Sequence, residues 1–284
     1  MSSRIKSLAI MAILSVAITL PAASPGNADQ GSSDSPMDKI KWLEGPGSAD
    51  LGEIAEIRVP ADSFFAGAGD MKAIMEAGEN IYSGTELGYL ASPGEKLEII
   101  FEFDETGYIK DDEKESLDAA AMLKQMKASN RNTNEERKRR GWKTLEFVDW
   151  EIPPHYDAST NNLEWATLLR TEGNEQLVNY NTRLLGRTGV MRVTLVTKPE
   201  DLKDALASFR NIISDFSYKS GYRYAEYRQG DKIAKYGLTA LVVGGATAVA
   251  AKSGLLKGLW KLIVAGAVGI AAFLKKIFGR KATA

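Results

Sequence analysis

The 284 residues include no cysteine and a single histidine, His155. The first absence excludes disulfides, a thiol nucleophile and a lipid attached to a cysteine behind a leader. The second excludes a histidine-rich zinc site. No Gly-x-Ser-x-Gly elbow presents a serine. Gly186-Arg187-Thr188-Gly189 is too short for a phosphate loop and lacks its lysine, so it reads as a hairpin turn. With no disulfides, the chain has to be held by its core, which a domain of roughly 200 residues can supply by burying about 70% of its unfolded surface.

Net charge is small overall and unevenly placed. The formal net charge is -1. Residues 1–28 carry Arg4 and Lys6 and no acid; residues 29–230 carry 25 Lys and Arg against 36 Asp and Glu, a net of -11; residues 231–284 carry nine cations against Asp231 alone, a net of +8. An acidic body between two basic, apolar ends describes a molecule built for two environments.

The first end has the three parts of a secretory leader: Arg4 and Lys6, an apolar run Leu8–Leu20, then Pro21 and small residues up to Ala28. Thirteen helical residues reach only about 20 Å, short of the ~30 Å hydrocarbon core. A signal peptide over 1–28 is expected, with cleavage after Ala23 or Ala28. At the other end, Ile233–Ala251 is long enough to span with Lys235 at the interface, and Leu255–Leu274 carries Lys257 and Lys261 before the cluster Lys275–Lys281. One span with the tail in the cytoplasm, or a hairpin with the tail outside, are both open; the positive-inside rule favours the first. Gly237, Gly244, Gly245, Gly266 and Gly269 would permit close helix approach, a hint of self-association.

The middle reads as α+β. Residues 29–45 are polar and suggest a flexible lead-in before an exported domain over 46–230; residues 231–274 form the membrane-anchoring helical region and 275–284 a basic tail. Strands are expected over Glu53–Val59 and over Leu97–Phe103, where Leu97, Ile99, Phe101 and Phe103 share a face. The turn Asp104–Gly107 and the return Tyr108–Lys110 would complete a hairpin. Short helical spacing marks Asp70–Ala77, stopped by Gly78. Ala119, Met122, Leu123 and Met126 predict a helix over Asp112–Ala128, and Thr133 with Glu136 a capping box opening a second, solvated helix through Arg137–Arg140. A strand over Lys143–Trp150 should end at Pro153-Pro154. Three alternating runs then follow with glycine turns, Leu163–Leu169, Val178–Leu184 and Met191–Leu195, the pattern of an antiparallel meander. Last comes an amphipathic helix with Leu202, Ala205, Leu206, Phe209, Ile212, Ile213 and Phe216 on one face, behind a Thr197/Glu200 capping box. The fold class is an antiparallel sheet covered by helices, plus a C-terminal transmembrane region.

Few residues carry chemistry. His155 beside Asp157 is the one general-base pair the chain offers. Asp104, Glu105, Asp111, Asp112 and Glu113 do not match a calcium loop, and acids are at home at a turn and a helix start. No metal and no cofactor are expected. A domain of net -11 excludes nucleic acid as partner. The loop amides, aromatics and cations Tyr156, Asp157, Asn161, Asn162, Asn179, Asn181, Arg183 and Arg187 are the candidate ligand or partner surface; clustered on one concave face they would form a site.

The segments Phe101–Glu113 (FEFDETGYIKDDE), Asn134–Trp142 (NEERKRRGW), Pro153–Asp157 (PPHYD), Leu163–Ala166 (LEWA), Asn179–Met191 (NYNTRLLGRTGVM) and Gly230–Leu238 (GDKIAKYGL) resemble the bacterial uncharacterised membrane-anchored proteins of domain-of-unknown-function family 2167. The resemblance implies a leader, an exported domain and a C-terminal anchor, and brings no reaction. The expectation is therefore a membrane-anchored envelope protein at the bacterial cytoplasmic membrane, its domain facing the periplasm or exterior. It would be a non-catalytic binding or scaffolding module, held in lipid through residues 233–274, meeting an envelope protein or itself. The alternative is an envelope hydrolase using carboxylates and His155.

Overall fold

The computed structural model describes residues 36–244. The expected signal peptide, residues 29–35 of the lead-in, and the chain from 245 onward lie outside the described residues. The strands are β1 (Leu43–Glu44), β2 (Gly47–Leu51), β3 (Ala55–Val59), β4 (Phe64–Gly67), β5 (Glu86–Ser92), β6 (Leu97–Asp104), β7 (Leu145–Asp157), β8 (Asn162–Thr171), β9 (Gln176–Leu185), β10 (Val190–Thr197) and β11 (Ser217–Tyr218). The helices are α1 (Met71–Ala77), α2 (Ala119–Arg139), α3 (Leu202–Ser214) and α4 (Leu238–Val243). Eight strands form one antiparallel sheet in the order β1-β4-β5-β6-β10-β9-β8-β7, and β11-β3-β2 a small second one. The protein is thus an antiparallel, sheet-dominated α+β fold with few helices. The meander runs as the alternation predicts, with Val193 opposite Phe101 on one side and Thr182 on the other.

The main core lies between the large sheet's first face, the small sheet and α3. Leu97, Ile99, Phe101, Met191, Val193, Leu195, Val178 and Tyr180 meet Leu202, Ala205, Leu206, Phe209 and Ile212. The Phe209 ring stands edge-on to Tyr180 at 5.5 Å between centroids. Each such side chain contributes about 1.5–3 kcal/mol through removal from water. This stripe explains why a 13-residue helix holds its place. The expected capping box is absent: Pro199–Asp201 is a 3-10 turn without a side-chain cap. Thr197 donates instead to the Lys96 carbonyl at 3.3 Å, and Asp201 pairs with Lys96 at 3.0 Å.

Four further expectations are corrected. Tyr108–Lys110 does not return on β6, because β5 and β10 already occupy both its edges. Tyr108 instead forms a parallel bridge with Ile233, donating to the Lys232 carbonyl and accepting from Ala234. The helix expected to stop at Ala128 runs on through Arg139, so the capping box at Thr133 does not form. Asp118 is the cap, accepting from the Ala121 N–H at 2.9 Å. Asn130 and Thr133 cost a helix only tenths of a kcal/mol each, and tertiary contacts outweigh that. The Asn134 amide clasps both the N–H and the carbonyl of Leu145, and Arg137, expected on a solvated face, is 4% exposed. Pro153 and Pro154 do not end β7. This strand is the edge of the sheet, where a missing N–H breaks no ladder, and its register shifts around Ile152 accommodate them. Finally, the flexible lead-in ends early: Ile40 is buried and Leu43–Glu44 already pair with β4. β5 escaped the sequence reading because Leu90, Ala91 and Tyr89 are buried alike on both faces, which erases alternation.

The second face of the sheet is covered at its margins. Met71, Ile74 and Met75 of α1 pack on Tyr89, Ala91 and Ile100. α2 lies along β7, and α4 joins it over Leu163, Trp165, Leu185 and Val190. Residues 231–243 therefore cross back over the domain as a strap. Glu113 caps α4, accepting from the Thr239 N–H at 2.8 Å. Gly237 lets it approach, since a Cβ there would stand 2.6 Å from the Glu113 carboxyl. Among the described residues no helix is long and apolar enough to cross a membrane.

Candidate functional site

The eight candidate surface residues fall into three places. Tyr156, Asp157, Asn161 and Asn162 build the β7–β8 turn. Tyr156 donates to Asn161 at 3.2 Å, and Asp157 accepts from the Ser159 N–H and hydroxyl at 2.8 and 2.6 Å, which holds its carboxyl below the usual range. Asn161 takes the turn's left-handed conformation, φ +56°. Arg187 in the β9–β10 turn grips Asp231 of the strap with two bonds of 2.7 Å, and this pairing lowers the Asp231 carboxyl to about 2. Asn179, Asn181 and Arg183 alternate along β9 and so share the second face.

His155 is not joined to Asp157. Its Nε2 lies 3.7 Å from Glu164, across the β7–β8 pair, and Nδ1 is 3.2 Å from the Pro153 carbonyl. Tyr180 donates a short hydrogen bond to the same Glu164 oxygen; burial, then that bond, raise its phenol. This trio stands on the first face, beside the core, and among the described residues no serine or threonine hydroxyl is bonded to the imidazole.

The second face holds a more enclosed arrangement. Cross-strand neighbours share a face. Arg183 stands opposite Arg192, which stands opposite Glu102; the next row runs Trp165, Asn181, Thr194, Ile100, Tyr89; the one beyond has Thr167, Asn179, Val196 and Glu98. Four strands separate β5 from β7 in the sheet, about 24 Å if it were flat. Yet the chain just after α1 touches α2. Arg137 donates to the Glu79 carbonyl at 2.7 Å and stands 3.7 Å from its carboxylate, which also accepts from the Lys143 N–H. The sheet must curl around this face to allow that. The result is a trough walled by α1 and α2, closed at one end by the Glu79–Arg137 junction and at the other by the strap. Asn179, Asn181, Thr194, Arg192 and Glu98 on its floor are partly exposed.

The floor's electrostatics are lopsided. Arg192 is paired with Glu102 at 2.6 Å and Asp104 at 3.3 Å. Arg183, 7% exposed, has no such partner among the described residues. Its Nη1 donates to the Thr182 carbonyl at 3.2 Å, and its guanidinium lies 4.5 Å over the Trp165 ring. Burial, aided by the Arg192 charge, pushes it down to about 9, against the raising effect of Glu102 and Asp104. The Nε atoms of Arg183 and Arg192, the indole N–H of Trp165 and Oε2 of Glu98 are buried without hydrogen-bond partners. Burial also raises the Glu98 carboxyl to about 7, against the lowering effect of a bond from Tyr89.

Sequence reasoning found Asn179, Asn181 and Arg183 but missed Arg192, Glu98, Glu102, Tyr89 and Trp165. The signal was there: Glu98-x-Ile100-x-Glu102 and Arg192-x-Thr194 put polar residues on the alternate face of well-formed strands. That pattern ordinarily means solvent, and only the helices crossing over it make it an enclosure. Three of the five acidic residues over Asp104–Glu113 have internal partners: Asp104 on Arg192, Asp111 on Lys114 at 3.2 Å, Glu113 on α4. Among the described residues no group of three His, Cys, Asp or Glu could hold a metal ion.

An antiparallel sheet curled over a polar trough defines the class as an α+β domain with an internal floor. The particular family follows from the sequence pattern over residues 43–275: the chain belongs to the proteins of unknown function grouped as DUF2167. Among solved structures it is similar to the cyanobacterial PsbP (CyanoP) of Synechocystis sp. PCC 6803, determined in solution, with 11% identity and a TM-score of 0.37 over 68% of this chain and 98% of that one. No curated protein matches it.

Proposed function

We propose that this chain is a membrane-anchored envelope protein whose domain binds a ligand or partner without catalysing a reaction on it. One observation carries the reading. The polar trough lies on one face of the sheet, and the only histidine lies on the other, so the enclosed face offers donors and amides but no imidazole. Supplementing a deletion strain with the His155→Ala form should restore the parental envelope phenotype in full. Loss of that rescue, with the protein present at normal level, would instead favour a hydrolase acting through His155 and Glu164.

In this reading residues 1–28 are a cleaved leader, 46–230 the exported domain on the outer side of the bacterial cytoplasmic membrane, and 231–274 the anchoring region, with 275–284 a basic tail inside. The strap makes the first part of that region a domain contact. With Leu238–Val243 seated on the domain, the roughly 30 residues from 245 to 274 would reach about 45 Å at the rise of a helix. That is enough for one crossing of a ~30 Å core and short of two. A reporter fused after Ala284 should therefore read out in the cytoplasm, as the terminal lysines also favour; activity on the outer side would establish the hairpin. Self-association through the glycines of the tail is a second role for the same region.

A further inference from the structure

We infer that the strap end of the trough is a binding site for a small molecule bearing an oxyanion group, a carboxylate or a phosphate, held by Arg183 with the Trp165 indole N–H beside it. The inference rests on the binding-module reading and names its ligand class. Three unpartnered buried atoms gather there: Nε of Arg183, Nε of Arg192 and Nε1 of Trp165. All three are donors and none can accept, so the missing partner is an acceptor. Arg183 and Arg192 stand directly opposite each other, and Trp165, on the strand beyond Arg183 and one row along, is the diagonal neighbour of Arg183.

Charge narrows the choice further. Arg192 makes the ion pairs with Glu102 and Asp104; Arg183 has no ion pair of its own among the described residues and feels those two carboxylates only at longer range. A buried cation without a directly bonded counter-ion is costly, and an anion at its free nitrogen offsets that cost more than a neutral acceptor or water does. Arginine's planar fork suits the two oxygens of a carboxylate or phosphate. The wall around it is apolar, from Leu163, Leu185 and Val190 under the strap. Low polarity there strengthens the pairing. The partly exposed Asn181 and Thr194 connect the site to the open middle of the trough.

The test uses the full chain in detergent, titrated calorimetrically at pH 7 with sodium phosphate and separately with sodium succinate, with chloride as control. Saturable binding of at least one is expected; phosphate alone assigns a phosphate ligand, succinate alone a carboxylate. Arg183→Met should weaken that binding at least tenfold while raising the Tm of the ligand-free chain by about 2–4 °C, since a buried guanidinium with no ion pair of its own is gone. Arg183→Lys keeps the charge and should bind with an intermediate affinity. Binding of neither anion, or unchanged binding in Arg183→Met, overturns the inference, as does a lowered ligand-free Tm in that variant, which would make Arg183 purely structural. If Arg183→Met fails to fold, Trp165→Phe removes the indole N–H and keeps a ring; a several-fold loss supports the site and unchanged affinity overturns it. A neutral compound retained by the wild-type chain in native mass spectrometry, together with full rescue by His155→Ala, would sink the anion site and leave the binding module standing. Loss of rescue by His155→Ala would sink the module itself.

Discussion

Gly189→Ala should lower the Tm of the full chain by roughly 6–12 °C, from a loss of about 3 kcal/mol, the upper end for overpacking. A Cβ at this position would stand 2.1 Å from the Asp104 carbonyl oxygen and 2.8 Å from the Phe103 ring. The first neighbour is backbone and cannot swing aside. Moving it would disturb the pairing of Val190 with Asp104 on one side and Leu185 on the other, at the strands that form the strap end of the trough. The same turn is tied twice more, by Gly186 donating to the Gly189 carbonyl at 2.9 Å and by Gly107 donating to Thr188 at 2.9 Å. Gly94→Ala is the control, because nothing lies within 4 Å of its would-be Cβ. Thermal unfolding of both variants decides the matter. A Gly189→Ala Tm within 2 °C of the parent would mean that the turn shifts freely.

The same turn shows how far sequence reading reaches. Gly186–Gly189 between two alternating runs is legible as a hairpin, because period-2 alternation and turn residues are local properties. That β6 presses a carbonyl against Gly189 is not, since it depends on a strand some eighty residues earlier. Local logic recovered the meander, the stripe on α3 and the strand Leu97–Asp104. It failed where a distant contact overrode it. The Asn134 clasp and the buried Arg137 carry α2 through residues whose own preference is to stop. The edge position of β7 excuses two prolines. Of the site, Asn179, Asn181 and Arg183 were visible as polar residues in a strand, but their enclosure was not. A carboxylate such as Glu98 reads as solvent-facing until something is known to cross above it. The family pattern adds membership and no chemistry, so the reading of the trough depends on its geometry.

Glu98 provides the second large effect, and it is one of pH. In the folded chain its carboxyl is raised from 4.5 to about 7, first by burial, while the bond from the Tyr89 hydroxyl acts the other way. In the unfolded chain it titrates as an ordinary glutamate. Between those two values the folded state binds more protons, so this group's contribution to stability is full below about 4.5 and is lost as pH rises through 7. The interval corresponds to about 3 kcal/mol, less what partial solvent access restores. Glu98→Gln keeps an acceptor for Tyr89 and cannot ionise. Urea unfolding of the variant and the parent should therefore give similar stabilities at pH 4.5–5 and a variant more stable by about 2–3 kcal/mol at pH 8. Subtracting the two curves isolates Glu98 from groups such as Asp231, whose carboxyl is lowered to about 2 and whose contribution fades only in stronger acid. Parallel curves would show that Glu98 is already solvated. The difference matters for the trough because protonation changes what its floor offers. Below neutrality Glu98 presents a hydroxyl donor beside Val196, in the row of Asn179; above it, a bare carboxylate stands on the same face, two rows along from Arg192 and Arg183. An oxyanion held at Arg183 would then share its enclosure with a negative charge that is absent at lower pH.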